Sequence, residues 1–281
     1  MSHAGGRGIA SVDVTVLDVR GASADRRDVV IEQPLEVRIA GETVTTTMRT
    51  PGDDHALALG FLVAEGVLRT RADVGSVYVC GRTDDPRYGS AIEVVPGPGV
   101  SLDVDRIARA SRPLITSACG VCGRDGIEDL RARLPVIARV TRVPAALLLS
   151  APARLRTHQD AFARTGGLHG ACALDVDGQV LAHAEDVGRH NAVDKVVGQL
   201  FLAGELDGSA RRAQVLAISG RASFEIVQKA AMAGFVAIAA VSAPSTLAIE
   251  TAQATGIALA CFVRDGAMTL YAGRERVVAD G

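Results

Sequence analysis

Two cysteines three residues apart, Cys119-Gly120-Val121-Cys122, are the most reactive-looking group in the chain. Glycines flank the pair on both sides, which favours a flexible arm over the rigid helix start of a thioredoxin-like dithiol. A mobile thiol loop suits the receipt of a group at one site and its delivery at another. The thiolate is the reacting form, and Arg112 and Arg124 are close enough in sequence to favour it. A structural zinc site needs two further soft ligands. Cys80, Cys172 and Cys261 stand alone in apolar runs and read as core residues, so a zinc ribbon is not indicated.

A second cluster runs Ala184-Glu185-Asp186-Val187-Gly188-Arg189-His190-Asn191-Ala192-Val193-Asp194-Lys195, where a strand gives way to a helix. Charges packed between two apolar elements either pair with one another or bind a ligand. The ligand reading has His190 and Lys195 reaching phosphate or base edges, with Asn191 capping the helix. A third group, Ser219-Gly220-Arg221-Ala222-Ser223, follows the apolar residues 215–218, and Val241-Ser242-Ala243-Pro244-Ser245-Thr246 repeats the pattern after the next strand. Strand ends that feed helices offer backbone N–H groups to anions, although helix capping accounts for the same residue types. His183-Ala184-Glu185 with the cysteine pair echoes a zinc deaminase, but the order is reversed and Ala118 stands where proline precedes the cysteines. His55, His158 and His169 are isolated and read as structural or surface residues.

Two regions must position these groups. Residues 1–25 read as a polar tail. Residues 26–110 read as a small α+β unit, with a hairpin turning at Gly41-Glu42 and a helix over 56–65 that starts at Asp53 and stops at Gly66. Residues 111–140 form the Gly/Cys loop and linker. From 141 to 281 the pattern alternates: a helix over 144–162, a hairpin turning at Asp177-Gly178, then strands at 215–219, 235–241 and 259–263 with helices at 191–202, 224–232 and 245–254 between them. A last turn at Asp265-Gly266 leads to residues 268–271. Such alternation predicts an α/β domain with a largely parallel sheet covered on both faces, and a ligand site beyond the strand C-termini.

Composition limits the rest. At 281 residues, 48% hydrophobic and 22% charged, the chain has the size of about two globular domains. Thirty basic against 32 acidic residues give a net charge of −2, so there is no overall field to draw nucleic acid or an acidic membrane. The only lysines are Lys195 and Lys229; every other cation is arginine. No apolar run reaches membrane-spanning length, the first ten residues lack the apolar core of a signal peptide, and five cysteines are an odd number for a disulfide framework. A reducing cytoplasm is the expected setting.

Taken jointly, Ser-Ala-Cys-Gly-Val-Cys-Gly, the stretch from Thr165-Gly166-Gly167-Leu168-His169 to Lys195, Ser219-Gly220-Arg221, Arg49-Thr50-Pro51-Gly52-Asp53 and Ala243-Pro244-Ser245 resemble one family, the formate dehydrogenase accessory sulfurtransferases FdhD/NarQ. The resemblance implies a cytidine-deaminase-like three-layer αβα domain without the catalytic zinc, beside a smaller N-terminal α+β domain. It implies a sulfur carrier that takes persulfide sulfur from a cysteine desulfurase and passes it to molybdenum in bis(molybdopterin guanine dinucleotide), which is then inserted into formate dehydrogenase. The persulfide position falls on Cys119, with Cys122 as second thiol. The cofactor-binding segment falls on Phe262, Val263, Arg264, Asp265, Gly266 and Ala267, and His190, Lys195, Ser219 and Arg221 are candidates for lining the same crevice. A homodimer is implied too. The rival readings are a zinc hydrolase of the deaminase type, a chaperone that holds the cofactor without sulfur chemistry, and a general dithiol reductase.

Overall fold

The computed structural model describes residues 8–81, 89–104, 134–138, 141–207 and 212–279. The Cys119–Cys122 pair, with Arg112 and Arg124, lies outside these residues.

The polar amino-terminal stretch is not a structureless tail. Strands β1 (Ile9–Asp18) and β2 (Gly21–Val30) pair antiparallel along their whole length, from Ile9 opposite Val30 to Asp18 opposite Gly21. The second strand has only Ala22, Ala24, Val29 and Val30 as apolar residues and is almost wholly exposed, so its sequence carries little of the alternation that marks a buried strand. Its ladder and side-chain ties hold it: Ser11 Oγ donates to Asp28 at 2.6 Å, and Arg164 from the following region pairs with the same carboxylate at 2.7 Å.

Next comes a four-stranded sheet in the order β4-β3-β6-β5, made of β3 (Gln33–Ile39), β4 (Glu42–Arg49), β5 (Val74–Val79) and β6 (Ala91–Pro96). The expected hairpin at Gly41 is present, as is helix α1 (Asp54–Ala64). Asp53 takes the N-cap position in a left-handed conformation, yet its side chain makes no cap hydrogen bond.

The region expected to form one helix over 144–162 makes two, α2 (Ala145–Arg156) and α3 (Asp160–Thr165). The break has a tertiary cause. Glu185 accepts from the Ala161 and Phe162 amides at 2.9 and 2.7 Å, so a carboxylate distant in sequence starts the second helix.

The main sheet has six strands in the order β13-β12-β11-β10-β8-β9. These are β8 (His169–Leu174), β9 (Val180–Asp186), β10 (Val215–Ile218), β11 (Ala237–Ala240), β12 (Ala258–Arg264) and β13 (Ala267–Ala272). Only β10, β11 and β12 run parallel. The expectation of a largely parallel sheet fails at both sides: β8 pairs antiparallel with β10, and the outer pairs β8–β9 and β12–β13 are hairpins, whose tight turns return the chain antiparallel. Every residue of β10 and β11 is buried, so both faces of the sheet are covered. Helix α2 packs across β8, β10, β11 and β12, while α4 (Arg189–Leu202), α5 (Phe224–Ala233) and α6 (Thr246–Thr255) pack side by side as a second layer. A short parallel pair, β7 (Val143–Pro144) with β14 (Val277–Val278), ties the carboxyl end to the start of α2.

The two sheets share one core through α1 and α4. A Cβ on Gly60 would stand 1.8 Å from Asp194 O, and a Cβ on Gly198 would stand 1.8 Å from Ala56 O. The helices cross backbone to backbone, which only glycine permits. Among the described residues, no helix is long and apolar enough to cross a membrane.

Candidate functional site

The charged stretch 184–195 is a latch between the two units. Asp186, fully buried, accepts from four donors: Lys195 Nζ at 2.8 Å, Gly188 N at 2.8 Å, Asn191 Nδ2 at 3.0 Å and Thr50 N at 3.1 Å. Lys195 also donates to the carbonyls of Thr50 at 2.9 Å and Glu185 at 3.4 Å. Its three protons are therefore engaged with internal acceptors, which corrects the expectation that it reaches out to a phosphate. Asn191 does not cap its helix; Gly188 holds that position, and Asn191 Nδ2 donates to Met48 O at 2.7 Å. The Arg49-Thr50-Pro51-Gly52-Asp53 motif is thus the mate of the 184–195 motif, with Arg49 itself held by Asp54 at 2.8 Å. Lys229 is internal as well, 2.7 Å from Asp194.

The cleft lies where the topology places it. The C-terminal ends of the three parallel strands open on a cavity of about 620 Å³ lined by Ser219 after β10, Val241 after β11, and Val263 and Arg264 at the end of β12. Arg156 of α2, Gln159 at the start of α3, Phe162 of α3 and His169 at the start of β8 also line it. Of the expected residues, Ser219, Val263 and Arg264 meet here. The Ser219 hydroxyl accepts from Gly170 N at 2.9 Å. Phe262 has a left-handed φ of 53°, unusual for an aromatic residue, and its half-exposed ring lies 6.5 Å from Tyr271. Asp265, Gly266 and Ala267 form the exposed turn into β13. Arg221 is exposed on the same loop as Ser219, whereas Ser245 caps α6 by accepting from Ala248 N at 3.2 Å.

The electrostatics favour an anionic ligand. Burial, then the charges of Arg189 and Arg221, push the His169 imidazole below its ordinary pKa, favouring its neutral form. A Cβ on Gly220 would stand 3.3 Å from His169 Nδ1 and 3.7 Å from Arg189 Cδ, so the glycine lets the loop approach both. Two buried donors here have no acceptor among the described residues: Arg189 Nε and Gln159 Nε2. An unmet buried donor is costly and marks a place where a ligand or water supplies the oxygen.

His169, Gln159 and Arg156 were not singled out for this cleft by sequence reasoning. The Thr165–His169 motif was the available signal for His169; nothing marked the other two, which arrive from a layer packed over the strand ends.

His190 stands on the same edge of the sheet but faces α5. Its Nδ1 is 3.0 Å from Glu225 Oε2 and its Nε2 is 3.1 Å from Ser223 Oγ. Burial pushes its pKa down to about 4 despite the carboxylate, so the ring is neutral, with Nδ1–H donating to Glu225 and Nε2 accepting from Ser223. In the deaminase echo, His183 stacks on His158 at 4.3 Å, and Glu185 is committed to the α3 amides, so it is not free as an acid–base group. Cys172 and Cys261 are core cysteines, each with a thiol pushed up to about 12 by burial. Cys80 is only half-buried, against expectation.

A mixed α/β protein with a cationic cleft at its strand ends is the class this geometry defines. The chain belongs to the FdhD/NarQ family, whose model matches residues 30–278. It is 47% identical over 276 residues to the sulfur carrier protein FdhD of Anaeromyxobacter dehalogenans, covering 97% of this chain and 95% of that protein. The FdhD of Streptomyces coelicolor is 45% identical over 263 residues, 92% of each chain, and that of Mycobacterium tuberculosis 44% over 281 residues, 92% of this chain and 96% of that one. The fold is shared with the crystal structure of a chain assigned as a formate dehydrogenase accessory protein from Desulfotalea psychrophila, at a TM-score of 0.74 and 21% identity, covering 96% of this chain and 100% of that one.

Proposed function

We propose that this protein is a sulfur carrier acting as a sulfurtransferase in formate dehydrogenase maturation. The Cys119 thiolate attacks the outer sulfur of a cysteine desulfurase persulfide. The S–S bond breaks, the desulfurase thiolate leaves, and Cys119 holds the sulfur as its own persulfide. The sulfur then passes to the molybdenum of bis(molybdopterin guanine dinucleotide), the acceptor substrate, before that cofactor enters formate dehydrogenase. Cys122 is the second thiol. A cytidine-deaminase-like descent of the main domain and assembly as a homodimer belong to the same proposal.

The observation that carries this reading is the strand-end cleft itself, found in a chain of this family. Its Arg264, Arg156 and Ser219, with the Arg189 Nε and Gln159 Nε2 donors that have no partner among the described residues, suit the phosphate and carbonyl oxygens of a guanine dinucleotide. The chain's residues would bind and orient that substrate through these donors and the apolar wall of Val241, Val263 and Phe162. In a bacterial strain lacking its own accessory protein, the wild-type chain should restore formate dehydrogenase activity and Cys119→Ala should not. Equal restoration by Cys119→Ala would favour the cofactor-holding chaperone instead.

A further inference from the structure

Ser223, His190 and Glu225 form a line that sulfur transfer does not use. Ser223 Oγ lies 3.1 Å from His190 Nε2, and His190 Nδ1 lies 3.0 Å from Glu225 Oε2. The carboxylate can only accept, so it fixes the proton on Nδ1 and leaves Nε2 bare towards the hydroxyl. A serine nucleophile needs this arrangement of base and orienting acid.

Three further features agree. Ser223 occupies the N-cap position of α5, yet its hydroxyl caps nothing and is turned to the imidazole instead. The first-turn amides of this ten-residue helix therefore lack a cap from Ser223, and the positive end of the helix dipole lies at the serine. The preceding loop is pinned on both sides: Ala222 N donates to Ala243 O at 3.1 Å, and Ser245 N donates to Ala222 O at 3.0 Å. Ser223 is also only partly buried, so a substrate can reach it.

We propose that Ser223 is the nucleophile of an acyl-transfer site for carboxylic esters, with His190 as its general base and Glu225 as the residue that orients the imidazole. Ser223 Oγ bonds to the ester carbonyl carbon as its proton passes to His190 Nε2, and the carbonyl oxygen becomes an oxyanion facing the α5 amides. The bond from carbon to the leaving alkoxide breaks, and that oxygen takes the proton from His190 and departs as an alcohol. Water then attacks the acyl-serine, its proton going through His190 back to Ser223, and the carboxylic acid leaves. No oxidant or reductant is needed. The site is independent of the sulfur-transfer reading: it uses neither cysteine.

The experiment is treatment of the native full-length protein with an alkyl fluorophosphonate, which a serine attacks at phosphorus with loss of fluoride. One phosphonyl group should appear, located by peptide mass spectrometry on Ser223 and absent from heat-denatured protein. Labelling should slow roughly a hundredfold or more in His190→Gln, the scale of lost general-base help, and should slow in Glu225→Gln. Glu225 is half-exposed, so that variant tests the line even if His190→Gln fails to fold. An unlabelled native protein, a label on other serines, or Ser223 labelling at an unchanged rate in Glu225→Gln would overturn the proposal.

Discussion

Gly60 and Gly198 are the point at which the two halves of this protein touch backbone to backbone. Each hypothetical Cβ would fall 1.8 Å from a carbonyl oxygen of the opposite helix. Substitution by alanine gains up to about 1 kcal/mol of helix propensity. The overlap forces the helices apart, at a cost typically of about 1–3 kcal/mol and more where backbone must move. Gly60→Ala and Gly198→Ala should each therefore lower the urea midpoint of unfolding, and the double variant should lose less than the sum because one separation relieves both clashes.

The Asp186–Lys195 pair makes a sharper test of the latch. Lys195→Met removes the cation from a carboxylate with no exposure to solvent, and breaking a buried pair on one side costs about 3–5 kcal/mol. Thermal unfolding should show the loss. If Lys195 were instead a ligand contact, the variant would keep its melting temperature and lose only binding.

The contribution of His190 to stability should fall as pH drops from about 6.5 towards 4, opposed by Asp194, whose carboxyl burial pushes up to about 6. His190 sits at about 4 in the folded chain against an ordinary value of 6.5, so within that window the unfolded chain binds more protons. Its contribution is fully present above 6.5 and is lost as pH falls through 4. His169 and His183 are displaced in the same direction. Urea unfolding between pH 5 and 6.5, above most carboxylate titration, should show a shallower slope in His190→Gln than in the wild type.

The cleft makes a binding prediction. Arg264→Ala should weaken the binding of guanosine diphosphate by about tenfold or more, the equivalent of one hydrogen bond to a charged group at ~1.5–3 kcal/mol. Gly220→Val should do the same without removing any charge, because its side chain would displace His169 and Arg189. Isothermal titration with both variants would check this, and unchanged affinity in both would remove the cleft from the nucleotide site.

Much of the main domain was legible because its strands are short apolar runs closed by turns, as at Asp177-Gly178 and Asp265-Gly266, both of which are hairpins. The same turns imply antiparallel edge pairs, against a largely parallel sheet. The β1–β2 ribbon was hidden because β2 carries its ladder on a polar sequence. Of the residues that line the cleft, strand-end position pointed to Ser219 and the family resemblance to Val263 and Arg264. The internal role of Lys195 was not legible, since nothing local reveals that its acceptors include Thr50, 145 positions away. Charge clustering in sequence marks a demand for partners without saying whether those partners are ligands or the chain's own loops.

The most direct measurement is intact-protein mass spectrometry after incubation with an active cysteine desulfurase and cysteine, before and after dithiothreitol. The wild type should gain a reducible sulfur atom, and Cys119→Ala should gain none. Cys172→Ala and Cys261→Ala should load as the wild type does, because burial holds both thiols near 12 and out of the thiolate form. Sulfur uptake that persists undiminished in Cys119→Ala, or no uptake by any variant, would contradict the carrier mechanism.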